Sequence, residues 1–380
     1  MTRLTPEIAY GYVLSNRKTG RICLVTVKLG IEESQLLRRQ IARRCIYGVD
    51  INPLATELAR LSVWIHTFVP GLPLTFLNHN LVTGDSLAGI AGWDEVREVI
   101  DATTDGIQES VFSKSGGSQV GQWQGLLDKM GKMADADAKE VREAAEMQQQ
   151  IEQELHSSKC FLDVVAASRV DENIDAKSFV ATVFASSLDR IESLPEYKRA
   201  QQLWTDITPL HFPIAFPEVF TDERNGFDVI LGNPPWEEAT LEIDEFWMRY
   251  SPNLQGKTQT QKERIIAELE RERPDLQRLY ELEVSKQAKQ RAVLSNGPYP
   301  GMGTGDPDYY KAFSWRFWHL TKPKGHIGVV VPRSLFASAG SAEIRRTMLE
   351  EGSFEDITFL LNRKQWIFDI SSQYEPFSLS

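Results

Sequence analysis

Cysteine is nearly absent: Cys23, Cys45 and Cys160 are far apart in a chain of 380 residues, with no Cys-x-x-Cys pair. That excludes a disulfide framework and a thiolate zinc site, and it suits the reducing cytoplasm. No apolar run approaches the ~18 residues of a membrane-spanning helix, and the first residues lack the apolar core of a signal peptide. No membrane partner is therefore expected. Basic residues are in deficit, 42 Lys and Arg against 53 Asp and Glu, for a formal net charge of −11. Phosphate contacts need clustered cations, so the average disfavours a nucleic-acid binder, although a local basic groove can coexist with an acidic exterior. Histidine is also scarce, six in all. His79 has no second ligand-type residue at metal spacing, so no metal site is expected. What remains, 42% hydrophobic and 25% charged, is the composition of an ordinary globular chain.

The stretch that organises the chain is Gly226-Phe227-Asp228-Val229-Ile230-Leu231-Gly232-Asn233-Pro234-Pro235-Trp236. Its apolar run reads as a strand covered on both faces in a parallel sheet. Gly232 frees the backbone, and the two prolines fix φ and remove two donors. Asn233 is thereby held at the carboxyl end of a strand, where open α/β sheets bind ligands.

Two further strand tips end in carboxylates. Ile46 to Asp50 is a short strand, with Asn52 as the cap and Pro53 as the first residue of the next helix. Leu54, Leu58, Leu61 and Ile65 then repeat at the spacing of a helix that packs on a sheet. Asp50 is either a turn carboxylate or a bidentate acceptor for ribose hydroxyls. Asp85 follows a second short strand, where it could accept from the amino group of a nucleobase, with Leu87 beside the ring. Between the strands lie helical segments. Glu32 to Arg44 is expected to bury Leu36, Leu37 and Ile41 and to expose its arginines. A long amphipathic helix is expected over 127–155, its methionines in the core, with the helix around 179–191 as partner and no chemistry of its own. Residues 257–289 read as a charged, solvated helical stretch interrupted by Pro274. Tyr310 to Leu320 is an aromatic helix, Lys322 to Gly325 a turn, and His326 to Val331 a strand closed by Pro332.

Taken in order, IYGVDINPLATELARLSVW, GDSLAGI, FPEVF, GFDVILGNPPWE, KPKGHIGVVVPRSLF and IRRTML resemble the N6-adenine DNA methyltransferases. The likeness is to the methylase modules of type IIG restriction–modification enzymes and of BREX-type phage-defence methylases. It covers most of residues 41–92 and 210–362. It implies an α/β fold, a seven-stranded Rossmann-like sheet with helical insertions that binds S-adenosyl-L-methionine. The implied division is an N-terminal part of the methyltransferase domain over 1–90, a helical insertion over 91–209 and the catalytic strand and turn over 210–240. A charged helical insertion follows over 241–300, and the C-terminal part of the domain over 301–380. By the same resemblance, Asp50 binds the cofactor's ribose hydroxyls and Ile51 packs on its adenine. Asp85, with Ser86 and Leu87 beside it, meets the adenine amino group. In the catalytic turn of Asn233, Pro234, Pro235 and Trp236, the Asn233 amide and the Pro234 carbonyl accept from the amino group of a flipped target adenine. Trp236 stacks on that base. The partners implied are double-stranded DNA and restriction or defence-system subunits. One element of the family pattern is missing: no Gly-x-Gly string precedes residue 46, and no target-recognition segment follows residue 362. The expectation is a fragment of a longer enzyme, weakly active or inactive alone. Two other readings stay open, methylation of RNA or of a protein glutamine, and a degenerate module that binds DNA or partners without catalysis.

Overall fold

The computed structural model describes residues 8–15, 22–29, 33–100, 111, 122–133, 135–185, 188–220, 225–239, 243–302, 307–360 and 376–379. The chain divides into two compact units, residues 1–84 with 109–158, and residues 85–108 with 159–380.

In the first unit, β1 (Ile8–Ser15) and β2 (Ile22–Leu29) form an antiparallel hairpin, with Ile8 opposite Leu29. The strand expected from Arg21 to Leu29 is β2. β3 (Gly48–Asp50) pairs in parallel with β4 (Leu81–Thr83), Asp50 opposite Thr83. The helix Pro53–His66 makes the crossover that a parallel pair requires. Its orientation differs from expectation. Leu54, Leu58, Leu61 and Ile65 are between 49 and 66% exposed, and Thr56 is the buried residue of the helix. Polar bonds explain which face turns inward: Thr83 Oγ1 hydrogen-bonds to Thr56 Oγ1, and the Arg60 guanidinium donates to the Leu81 carbonyl. These bonds tie the helix to β4 through the Leu81 carbonyl and the Thr83 hydroxyl.

The helix Glu33–Cys45 is inverted in the same way. Leu37 and Ile41 are exposed, whereas Arg39 and Arg43 are buried. Arg43 donates to the carbonyls of Met130 and Met133 and to Asp135 Oδ1, and Arg39 donates to the Asp135 carbonyl. Arg39 and Arg43 are internal struts, whereas Arg38 and Arg44 are exposed as expected. The buried pair closes the end of the helix Gln122–Lys132. The long helix expected over 127–155 is broken there: Asp135 has φ 51°, and Asp137 caps a new helix, Ala138–Glu154, by accepting from the Lys139 and Glu140 amides. Met130 and Met147 are core residues, as their spacing indicates, and Met133 is buried beside the break.

The second unit holds a four-stranded sheet in the order β5-β6-β8-β7. β5 (Phe227–Gly232) runs parallel to β6 (Thr321–Pro332). β8 (Pro376–Leu379) is antiparallel to both β6 and β7 (Ile357–Phe359). The described strands thus form sheets of two, two and four rather than one sheet of seven. The register of β6 against β5 jumps from Phe227–Thr321 to Val229–His326, with Lys324 at φ 67°, so the turn expected at 322–325 interrupts the strand. Among the described strands β5 is an end strand, and Val229 and Leu231 are 53% and 80% exposed, not covered on both faces. Its other end is anchored by a cluster of edge-to-face rings, Phe227 against Phe212, Phe216 and Phe220. The charged stretch forms the helices Gln259–Glu272 and Pro274–Asn296, the first with no buried residue. They rest on a small core of Phe246, Trp247, Leu254 and Leu276. Among the described residues no helix is long and apolar enough to cross a membrane. Parallel strand pairs joined through helices make this an α/β protein.

Candidate active site

Asp50 ends β3 in the first unit and is exposed. Its Oδ1 accepts from the Asn52 amide at 2.8 Å, and Asn52 Oδ1 in turn accepts from the Leu54 amide at 2.9 Å. This Asx turn and helix cap set the carboxylate at the strand tip, with Oδ2 unused by the described residues. Ile51 lies beside it, 54% exposed.

Asp85 begins the second unit, and only 8% of its surface is exposed. Its main chain pairs with the segment at Pro209: its amide donates to the Thr208 carbonyl, and its carbonyl accepts from the Leu210 amide. Oδ1 accepts from the Leu87 and Ala88 amides at 2.9 and 3.0 Å, folding 85–88 into a tight turn. The Gln290 side chain also bonds to the carboxylate and is itself held by the Tyr309 hydroxyl at 2.8 Å. Burial pushes the Asp85 carboxyl up, against the opposing pull of these backbone bonds and of Arg316. A carboxylate offers about four acceptor sites, so these three donors leave it room for one more. Leu87 is buried and Ser86 half-buried. At Gly89 only glycine fits, because a β-carbon would lie 1.7 Å from the Leu210 carbonyl oxygen.

Two buried networks hold the turn and the residues after it. Arg316, from the helix Tyr309–Leu320, donates to the carbonyls of Leu87 and Gly89 and to Glu95 Oε1, with the Tyr299 hydroxyl at 2.6 Å. Tyr299 donates to the Leu87 carbonyl at 2.7 Å. Glu95 Oε2 takes Arg169 through both terminal nitrogens, each at 3.1 Å, and accepts from the Ala91 amide. Burial raises the Glu95 carboxyl, but Arg316, Arg169 and His319 overturn that effect and leave it below its ordinary value. On the other side, His211 Nδ1 accepts from the Ile90 amide at 3.2 Å. The ring proton therefore sits on Nε2, facing Asp163 Oδ1 at 3.0 Å. The helical segment in which no chemistry was expected thus supplies Asp163 and Arg169 to these networks. Sequence alone does not single out Arg316, Glu95 or His211. For Arg316 the available signal was a charged residue inside an aromatic helix.

His211 carries a pH dependence. Burial lowers its pKa, against the raising effect of Asp163. The unfolded ring takes up a proton near the ordinary value of about 6.5, which the folded ring resists, so below that pH the unfolded chain binds more protons and stability falls. Asp163 acts in the same sense at lower pH: burial raises its carboxyl, but the His211 and Lys159 contacts leave it net lowered. Asp85, net raised, opposes them in the acid range. Urea midpoints should therefore fall between pH 7 and pH 5.5. His211→Asn should flatten that slope, the full slope being at most about 1.4 kcal/mol per pH unit for one proton. An unchanged slope in the variant would assign the effect to other groups.

The turn after β5 lies in the same unit. Asn233 is exposed, and its amide makes no hydrogen bond to the described residues. Pro234 is buried, Pro235 exposed and Trp236 half-buried, its indole Nε1 directed at the Val330 carbonyl of β6 at 3.4 Å. Beyond it, the Ala239 amide donates to the Pro307 carbonyl and the Tyr309 amide to the Glu237 carbonyl. The turn is thus fixed on both sides while its one amide head faces outward. Asn233 and Asp85 lie in the second unit, and Asp50 in the first.

A family model described as "Eco57I restriction-modification methylase" matches residues 44–267, more than half of the chain. The chain belongs to that family and is a DNA methyltransferase of the restriction–modification type. No curated protein and no solved structure matches it.

Proposed function

We propose that the chain transfers a methyl group from S-adenosyl-L-methionine to the N6 amino group of adenine in double-stranded DNA, within a restriction–modification or phage-defence system. The observation that carries this reading is the Asn233-Pro234-Pro235-Trp236 turn, held at the end of a parallel strand with the Asn233 amide free to accept. An adenine amino nitrogen is a weak nucleophile because its lone pair is delocalised into the ring. Two fixed acceptors, the Asn233 amide oxygen and the Pro234 carbonyl, would bond its two N–H groups and favour a more tetrahedral nitrogen. Acceptors placed in advance need no reorganisation as charge develops, which is where such sites gain most. Trp236 offers a ring for the extruded base to stack on, offsetting part of the few kcal/mol that leaving the duplex requires.

Taken separately, the two strand tips each carry groups whose chemistry suits a part of the donor molecule. Asp50, with one carboxylate oxygen uncommitted, would take the ribose hydroxyls, and Ile51 would cover the adenine. The Asp85 turn, with Ser86 and Leu87, would meet the adenine edge through the remaining acceptor capacity of the carboxylate. When bound, S-adenosyl-L-methionine supplies a methyl group on a positively charged sulfur.

The test is incubation with methyl-labelled S-adenosyl-L-methionine and mixed duplex DNA, followed by nucleoside mass spectrometry. Label in N6-methyladenine is expected, and label confined to cytosine, RNA or protein would overturn the substrate assignment. Asp50→Ala should weaken S-adenosylhomocysteine binding by about ten- to a hundredfold, the value of hydrogen bonds to a charged acceptor, as read by titration calorimetry.

A further inference from the structure

The helix Tyr309–Leu320 touches both halves of the second unit's site, through adjacent residues. Arg316 is fully buried and bonds to the Leu87 and Gly89 carbonyls, so it holds the Asp85 turn. Its guanidinium also lies over the Tyr299 ring, 5.4 Å from the centroid, and Tyr299 bonds to the same Leu87 carbonyl. The next residue, Phe317, lies under the residue before Asn233: a β-carbon on Gly232 would sit 2.7 Å from Phe317 Cζ. The start of the helix is tied to the other end of the catalytic turn, through the Tyr309 amide and the Glu237 carbonyl. The helix then runs directly into β6, the partner of β5. One rigid rod is thus pinned at the Asp85 turn, beneath Gly232 and just past Trp236.

We infer that this helix sets the spacing between the loop proposed to meet the methyl donor and the turn proposed to hold the target base, with Arg316 and Phe317 as positioning residues. The inference rests on the methyltransferase reading above. Methyl transfer is in-line, and a misplacement of about 1 Å can reduce rate by as much as a hundredfold. A ring packed against the backbone and a buried guanidinium bonded through both terminal nitrogens are stiff spacers. The two residues meet different partners, Arg316 the Asp85 turn and Phe317 Gly232, and should therefore fail differently.

The test uses the full chain, with S-adenosylhomocysteine binding by calorimetry and methyl transfer at saturating donor read separately. Gly232→Ala pushes against Phe317, so kcat should fall at least tenfold while S-adenosylhomocysteine affinity holds. Adding Phe317→Leu makes room and should restore most of the rate. Tyr299→Phe removes one hydroxyl from the Asp85-turn side, a change mild enough to spare the fold. It should weaken S-adenosylhomocysteine several-fold with little change in kcat, and Arg316→Lys should do so more strongly. Melting curves separate these effects from unfolding. The inference is overturned if Gly232→Ala turns over normally, if Phe317→Leu gives no rescue in a folded double variant, or if Tyr299→Phe binds like wild type. Absence of S-adenosylhomocysteine binding in the wild-type chain would instead overturn the methyltransferase reading, and the inference with it.

Discussion

Asn233→Ala should lower the turnover of methyl transfer by about a hundred- to a thousandfold, the range seen when one fixed donor or acceptor is removed from a reacting centre. The loss should fall on kcat. Asn233 is exposed at the end of β5 and bonds to nothing else among the described residues, so its removal leaves no internal group unpaired. The melting temperature should stay within the scatter of surface substitutions. Affinity for S-adenosylhomocysteine should also hold, since Asp50 and the Asp85 turn are built without Asn233. Asn233→Asp should retain more activity than Asn233→Ala, because a carboxylate still accepts from the amino group. It should remain below wild type, because a second full charge beside the donor brings no matching benefit to the transition state. An alanine variant with undiminished kcat would remove the turn from the chemistry and leave it a strand-terminating device.

Asp135→Ala carries the largest expected effect on stability. The carboxylate is fully buried, takes Arg43 on Oδ1 and accepts from the Phe76 amide on Oδ2 at 3.0 Å. Removing it leaves a buried guanidinium without its counter-charge, a change that typically costs about 3–5 kcal/mol. Native domains have only about 5–15 kcal/mol in total. The alanine must also hold φ 51°, a left-handed conformation that disfavours residues with a β-carbon by about 1–2 kcal/mol. Asp135→Asn separates the two contributions. Asparagine tolerates that conformation and still accepts from the Phe76 amide, so it should lose distinctly less. Urea unfolding of the three chains reads the difference, and equal losses for the two variants would refute this division of the energy.

Strand tips and helix starts were legible in the sequence because they depend on neighbours in the chain. Asn52 and Pro53 specify a cap and a first turn wherever they occur, and the cap forms as written. The strand closed by Pro332, the helix break before Pro274 and the aromatic helix near 310–320 are local in the same sense. The inward-facing side of two helices was not legible. The spacing of Leu54, Leu58, Leu61 and Ile65 selects a face but not what that face meets, and here polar partners on β4 took the opposite one. Arg39 and Arg43 stand in an ordinary basic pattern until the carbonyls at Met130 and Met133 come into view some 90 residues away. The supports of the candidate site are more remote still. Glu95 and Arg316 are separated by 221 positions, and His211 and Ile90 by 121. No window of sequence contains either pair. The turn proposed to hold the target base could be picked out because its four residues are consecutive.

The outward-facing leucines of the helix Pro53–His66 have a consequence for mutational tolerance. Hydropathy would rank Leu54, Leu58, Leu61 and Ile65 as the least replaceable residues of that helix, and Thr56 and Arg60 as freely exchangeable. The bonds run the other way: Thr56 and Arg60 hold β4, while the four aliphatic side chains stand largely in water. A substitution scan that selects for folding alone should therefore read hydropathy backwards along this helix, accepting serine or glutamine at Leu58 and rejecting valine at Thr56.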